Sequence, residues 1–175
     1  PSDYEAVVKS IGHGITCTSD LVSELEVRQV LLELSQEIGK KLRDTKLAAS
    51  GVRICVRDNT LYHREYQTRL AFPTQSFLEL AEAGIQLFHH RYTWNNHIRS
   101  LTISAIDLVP ASTPIQLDLW TDFARHKRRL DLERTVEDIR RRFGTKAINF
   151  ASLGGSLKIP SQREVEYKMP SVMYQ

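Results

Sequence analysis

The chain has 175 residues, of which 41% are hydrophobic and 26% charged, and its formal net charge is +3. This length allows one full core with an appendage, and the composition is that of an ordinary globular protein, which excludes a disordered or fibrous class. So small a net charge does not indicate nucleic-acid binding by itself, and composition leaves the oligomeric state open.

The cellular compartment of the protein is inferred from its cysteines and from the lack of targeting signals in the printed sequence. Two cysteines, Cys17 and Cys55, are too few for a metal site of their own and fit a reducing compartment better than a disulfide scaffold. The sequence has no apolar run near the roughly 20 residues of a membrane-spanning helix and no signal-peptide pattern. We therefore expect a cytoplasmic protein with no membrane partner.

The first segment, YEAVVKSIGHGIT, predicts a strand interrupted by Gly12 and Gly14. Glycine inside a strand often marks close approach of another backbone or of a ligand. The residues TSD at 18–20 predict a helix start with Thr18 or Ser19 as N-cap. Apolar residues then recur at spacings of three and four, which predicts one buried helix face: Val27, Leu31, Leu34, Ile38 and Leu42.

Segment 51–73 predicts a β-hairpin that turns at Asp58-Asn59. Its first strand alternates apolar and polar residues, as in a sheet with one solvated face: Val52, Ile54 and Val56 alternate with Arg53, Cys55 and Arg57. The return strand carries Arg64, Gln67, Thr68 and Arg69.

A second helix is predicted to start at Thr74 or Ser76 and to end before Asn95-Asn96. One of its sides is apolar: Phe77, Leu80, Ala81, Gly84, Leu87 and Phe88. The segment HIRSLTISAIDLV then predicts a last strand with Leu101 and Ile103 facing inward.

The predicted fold is α+β, a β-α-β-β-α-β order with a four-stranded, mostly antiparallel sheet and two helices on one face. The other face stays open, and it would be polar and basic: Arg53, Arg57, Ser100, Thr102 and Ser104. We expect this domain to cover 1–109, followed by a linker over 110–122.

A third helix is predicted after the linker, with an apolar stripe of Leu132, Val136, Ile139 and Phe143 and a stop at Gly144. This helix is rich in Lys and Arg. KAINFASLG predicts a short strand, so a C-terminal segment would cover 123–153 and a loosely held tail 154–175.

Enzyme signatures are missing from the sequence. It contains no Gly-rich phosphate loop with lysine and no paired carboxylates for a two-metal site. His89 and His90 are adjacent and would point about 100° apart on a helix, so they are poor joint ligands, and His97 adds no ligand spacing. Ser10 and His13 lack an acidic partner for a hydrolase. We predict no catalytic residue and no metal or cofactor in this chain.

The open face is the better lead, because arginines beside small hydroxyl residues and glycines suit contact with a phosphate backbone. A plainly solvated face remains the alternative. The topology also suggests an RNA-recognition module, but the aromatic strand motif of that family is missing, and only Tyr62 and Tyr66 could stack on bases.

Several stretches together resemble one family. One stretch is similar to the opening of the little-finger domain of bacterial Y-family DNA polymerases: it reads KSIGHG, followed by a threonine and then by SD. Ser19 stands where that family usually has arginine. LLELSQEIGKKLR resembles its first helix, and IRSLTIS its last strand, with Thr102 in place of a usual glycine. RTVEDIRRRFGTKAINFAS resembles the segment that follows. The resemblance covers residues 7 to about 153 and is strongest to the branch of the DNA polymerase V catalytic subunit.

The resemblance also explains the apolar residues of the linker. QLDLW resembles the sliding-clamp-binding pentapeptide of bacterial polymerases, typically Q-L-S/D-L-F, with tryptophan replacing phenylalanine. It implies clamp binding by Gln116, Leu117, Asp118, Leu119 and Trp120. Packing of these side chains back onto the domain is the alternative.

For the whole chain, the resemblance implies the DNA-binding and clamp-docking part of an error-prone polymerase that acts in translesion synthesis and DNA repair during the SOS response to DNA damage. Its partners would be primer-template DNA and the sliding clamp. The DNA-contacting residues carried over are Lys9, Ser10, Gly12, His13, Arg53, Arg57, Arg69, Ser100 and Thr102. Catalysis in the family belongs to palm carboxylates that bind Mg²⁺; these are not in this sequence, so we expect an inactive C-terminal part of a longer enzyme.

Two other functions compete with this one. A protein-interaction module would dock a partner on the 128–142 helix or on the linker and would not bind nucleic acid. An RNA-binding module of similar topology would prefer single strands and would depend on Tyr62 or Tyr66.

Overall fold

The computed structural model describes residues 8–114, 123–145, 147–154 and 157–160. Four strands and two helices form the predicted order, and a third helix and one short 3₁₀ turn follow. Their bounds are β1 Ser10–Leu21, α1 Glu24–Asp44, β2 Leu47–Asp58, β3 His63–Thr74, α2 Phe77–Arg91, β4 Ile98–Pro110, α3 Phe123–Phe143 and the 3₁₀ turn Ala151–Leu153. No helix among these residues is both long and apolar enough to cross a bilayer.

The four strands form one sheet in the order β1-β4-β2-β3, and all three neighbouring pairs are antiparallel. Helices α1 and α2 cover one face, and the core lies between them and the sheet. The predicted α1 stripe is fully buried, as are the six predicted α2 positions. Leu101 and Ile103 of β4 are completely inaccessible. The α+β prediction is therefore confirmed.

The two N-caps were predicted with unequal success. Ser76 caps α2, where its side chain accepts a hydrogen bond from Glu79 N. The predicted cap of α1 at Thr18 or Ser19 is wrong: β1 continues through a bulge to Leu21, which pairs with Ile98. Ser23 caps α1 instead, and Glu26 accepts from the backbone N–H of Val22 at 2.7 Å. A serine followed three residues later by glutamate is the local signal that favours this later start.

Helix α3 packs against the α1–α2 layer mainly through polar side chains. Of the predicted apolar stripe only Val136 is buried, whereas Leu132 is 52% and Phe143 75% exposed. The predicted stripe is thus wrong except for Val136. The buried face of the helix consists of His126, Glu133 and Val136. The predicted stop is confirmed, since Gly144 has a φ of +97°, the left-handed conformation that favours glycine after a helix.

The segment after α3 lies along the ends of α1, α2 and β1. Its predicted short strand is wrong, because residues 151–153 form a 3₁₀ turn. Phe150 packs edge-on against Phe77, with 5.5 Å between ring centroids. Further on, Thr18 N donates to Lys158 O at 3.0 Å, and Lys158 Nζ lies 2.7 Å from Glu26 Oε1. The division of the chain at residue 154 stays a prediction.

Candidate nucleic-acid interface

The face of the sheet that α1 and α2 leave uncovered is called the open face. Because side chains alternate along a strand, pairing across the four strands fixes which residues share this face. The register gives four cross-strand rows: Ser10–Ile106–Gly51–Arg69, Gly12–Ser104–Arg53–Gln67, Gly14–Thr102–Cys55–Glu65 and Thr16–Ser100–Arg57–His63. Seven of the nine predicted DNA-binding residues lie in these rows.

Arg53 and Arg57 both lie on the inner strand β2, in the second and fourth rows of the open face, with the Cys55 row between them. Arg53 Nη1 lies 3.0 Å from Glu65 Oε1 on β3. Arg57 crosses towards β1, where its Nη2 donates to Thr16 Oγ1 at 3.2 Å. Its Nε–H is buried and has no acceptor among the residues that the structure describes. The two arginines therefore extend from β2 to opposite sides, Arg53 towards β3 and Arg57 towards β1.

The hydroxyl residues of β4 differ in what they can still offer. Ser100 Oγ donates to Ile15 O at 2.8 Å, so its hydrogen is already used within the sheet. A phosphate oxygen needs a donor, and Ser100 would have to give up this bond to contact one. Thr102 lies in the next row, beside Gly14.

Lys9 and His13 are the two predicted residues outside the rows. Lys9 is exposed immediately before β1. His13 pairs with the buried Ile103 and therefore points to the helix-covered face. Its Nδ1 is buried without a partner in the described part of the chain. The structure thus does not bring His13 together with the arginines.

Four polar residues of the rows were missed by the sequence prediction: Thr16, His63, Glu65 and Gln67. Thr16 follows from the alternation along β1, whereas the three β3 residues are assigned to the open face by their pairing with β2. Glu65 matters most because it adds a negative charge.

Burial raises the pKa of Cys55, and the charge of Glu65 raises it further while Arg53 and Arg57 oppose the shift.

The tyrosines considered for base stacking are not on the open face. Tyr66 pairs with the buried Ile54, so it points to the helix side. Tyr62 precedes β3 and is 61% exposed, and the guanidinium of Arg64 lies 5.4 Å from its ring centroid. The open face therefore lacks the aromatic platform that RNA-recognition modules use.

The histidines of α2 each have a partner of their own. His89 Nδ1 lies 3.1 Å from Glu24 Oε1, and His90 Nδ1 lies 2.7 Å from Gln86 O. Across the described ranges, no group of three or more His, Cys, Asp or Glu side chains could hold a metal ion. The predicted clamp-binding residues 116–120 lie outside the described residues.

Comparison with known proteins decides the family. Residues 8–119 match the model of the impB/mucB/samB family C-terminal domain. The chain belongs to this family. It is the C-terminal little-finger region of Y-family DNA polymerases, in agreement with the resemblance found in the sequence.

Curated relatives carry the name DNA polymerase IV. The protein of Acetivibrio thermocellus is 31% identical over 143 residues, which cover 82% of this chain and 36% of the relative. DNA polymerase IV 2 of Bacillus subtilis is 32% identical over 148 residues, covering 80% and 34%. The chain thus spans about a third of the length of these relatives.

A solved complex of the beta-clamp processivity factor with the little finger domain of PolIV is also similar. It has a TM-score of 0.49 and 15% sequence identity, and it covers 64% of this chain and 99% of that one.

Within this little-finger domain, Gly14 on β1 makes room for the side chain of Thr102 on β4. A Cβ added at Gly14 would lie only 2.2 Å from Thr102 Oγ1, a distance that no side chain tolerates. The close approach of Thr102 to β1 therefore requires glycine at position 14.

Proposed function

We propose that the open face binds the sugar-phosphate backbone of duplex DNA without reading base sequence, as part of a translesion DNA polymerase. The observation that carries the proposal is the placement of Arg53, Arg57 and Arg69 on one four-stranded face, among glycines and small hydroxyl residues. Guanidinium groups supply charge and several donors each, and the small residues allow a backbone to approach. Family membership supports the same function.

Binding of this kind is driven by release of counterions from the DNA. With four phosphate contacts, the logarithm of the association constant should fall with the logarithm of salt concentration with a slope of about −3.6. Fluorescence anisotropy with a labelled duplex between 50 and 300 mM salt measures this slope. Unrelated duplex sequences should give the same affinity, and a flat salt response would contradict backbone binding.

We further propose that QLDLW binds the bacterial sliding clamp. Gln116 would supply a polar anchor, while Leu119 and Trp120 would fill an apolar pocket, as interface hot spots do. The proposal rests on the resemblance of the pentapeptide and on family membership. Calorimetry of the wild type against purified clamp should show binding, and the Gln116→Ala/Leu119→Ala variant should lose it. A folded wild type that binds no clamp would favour packing of these residues on the domain.

The activity of the whole enzyme is a proposal drawn from the relatives. The parent would be a Mg²⁺-dependent nucleotidyltransferase of the cytoplasm that bypasses lesions, with its catalytic carboxylates outside this sequence. Within the family, we place the chain in the polymerase V branch, on its sequence motifs alone. A tree that contains both branches tests this placement, and grouping with DNA polymerase IV would reject it.

A protein-interaction module is the second candidate, and one observation favours it. Helix α3 exposes Leu132 and Phe143 on a helix that is otherwise basic on its outer side. A partner docked there would leave the open face without a role. Loss of open-face arginines separates the two functions, since only the first predicts that DNA binding falls.

A further inference from the structure

The open face carries an acidic residue on its edge strand β3, where a DNA-binding surface would be expected to be basic. Glu65 pairs across the sheet with Cys55, one row from Arg53 and one row from Arg57. Its Oε1 atom lies 3.0 Å from Arg53 Nη1, which makes the two side chains an ion pair. The side chains of Arg53 and Glu65 are 37% and 51% exposed, so incoming DNA can reach both groups.

We propose that Glu65 is an internal competitor for the DNA phosphate at Arg53, and that it holds the affinity of the domain for DNA below what its arginines would give. This inference rests on the proposed function of the open face. In the free protein the carboxylate is ion-paired with Arg53 at Nη1. A phosphate must displace it, and the released carboxylate then stays close to the DNA backbone.

The carboxylate of Glu65 is expected to reduce the contribution of Arg53 to DNA binding. An arginine that exchanges a carboxylate for a phosphate gains little net charge neutralisation, so Arg53 contributes less than a full contact to counterion release. Neutralising Glu65 should restore that contact. A competing carboxylate suits a domain that must release DNA, because a lower affinity shortens the lifetime of the complex mainly through faster dissociation.

Folding does not depend on this ion pair. Both side chains are substantially exposed, and exposed pairs contribute little to stability. Glutamine is nearly isosteric with glutamate, and its amide oxygen keeps a neutral acceptor beside Arg53. A Glu65→Gln variant therefore changes one charge and leaves the sheet intact.

The matched control is Glu82→Gln. Glu82 is a glutamate on α2 that pairs with Arg129 at 2.7 Å, and its side chain is 49% exposed. It has the same charge, a similar exposure and an arginine partner, but it lies on the helix layer. Any effect of net charge alone should appear equally in both variants.

The experiment measures duplex affinity across salt concentrations for the wild type, Glu65→Gln, Glu82→Gln, Arg53→Ala and Arg53→Ala/Glu65→Gln. We expect Glu65→Gln to bind about fivefold more tightly near 0.1 M salt, with a slope steeper by less than about 0.9, the value of one full contact. Glu82→Gln should differ from the wild type by less than about twofold. The gain should largely vanish in the Arg53→Ala background, an outcome that a merely structural role of Glu65 would not produce.

Two other results are distinguishable. If the wild type binds with a steep salt slope but Glu65→Gln matches it, the competitor role is overturned and the proposed function stands. If the wild type binds duplex without salt dependence, the proposed function fails and the role of Glu65 fails with it.

Discussion

An Arg53→Ala/Arg57→Ala variant is expected to bind duplex DNA about tenfold to a hundredfold more weakly than the wild type at 0.1 M salt. Both residues lie on the inner strand β2 and belong to the open face, where their guanidinium groups can meet a phosphate backbone. Losing the contact of Arg57 and the partial contact of Arg53 should reduce the salt slope from about −3.6 to between about −2.7 and about −1.8. Anisotropy titrations against a labelled duplex measure both quantities.

An Arg28→Ala/Arg91→Ala variant is the control for this pair. Arg28 on α1 and Arg91 on α2 are exposed and lie on the helix layer, so the variant loses the same two charges from the other side of the molecule. It should keep the wild-type slope. Equal losses in both variants would mean that overall charge, rather than the open face, holds the DNA.

Replacing Glu133 with alanine is expected to cost about 3 kcal/mol of stability. Glu133 is a residue of α3 whose carboxylate lies against the N-terminus of α2. There it accepts hydrogen bonds from Ser76 Oγ at 2.5 Å, Phe77 N at 3.1 Å and Leu78 N at 3.2 Å. Arg43 Nη1 approaches it at 3.2 Å, and its side chain is 1% exposed. Burial raises the pKa of Glu133, while these donors and Arg43 oppose the shift.

The loss in this variant arises because several buried donors are left without their acceptor at once. Urea unfolding measures the change in free energy, and limited trypsin digestion shows whether the arginines of α3 become accessible. Glu137→Ala is the control. Glu137 also pairs with Arg43, at 2.8 Å, but is 35% exposed, so its loss should cost less than about 1 kcal/mol. Equal stability of the two variants would contradict a docking role for Glu133.

Local patterns in the sequence predicted most of the little-finger fold. The α1 stripe and the alternation along β2 were confirmed because each element buries a face that its own periodicity defines. The open-face positions of Arg53 and Arg57 followed from the same alternation. His13 could have been assigned to the other face by applying that rule to β1, where it alternates with Gly12 and Gly14.

Features that depend on distant residues were not predictable in this way. Helix α3 buries His126 and Glu133 because their partners are Glu79, Ser76 and Arg43, which lie far away in sequence. Glu65 became visible as the partner of Arg53 only once the hairpin register was known. The functional consequences of the open face therefore depend on pairing that periodicity alone does not specify.

The most direct test of the account is to map the DNA contacts on the protein by NMR. Titrating a duplex into ¹⁵N-labelled protein should shift the backbone amides of β1, β2 and β4 at the open-face rows, most strongly near Gly12, Arg53 and Arg57. The amides of α1 and α2 should move little, because those helices cover the opposite side of the sheet. Shifts confined to the helices, with the strands unchanged, would contradict DNA binding by the open face.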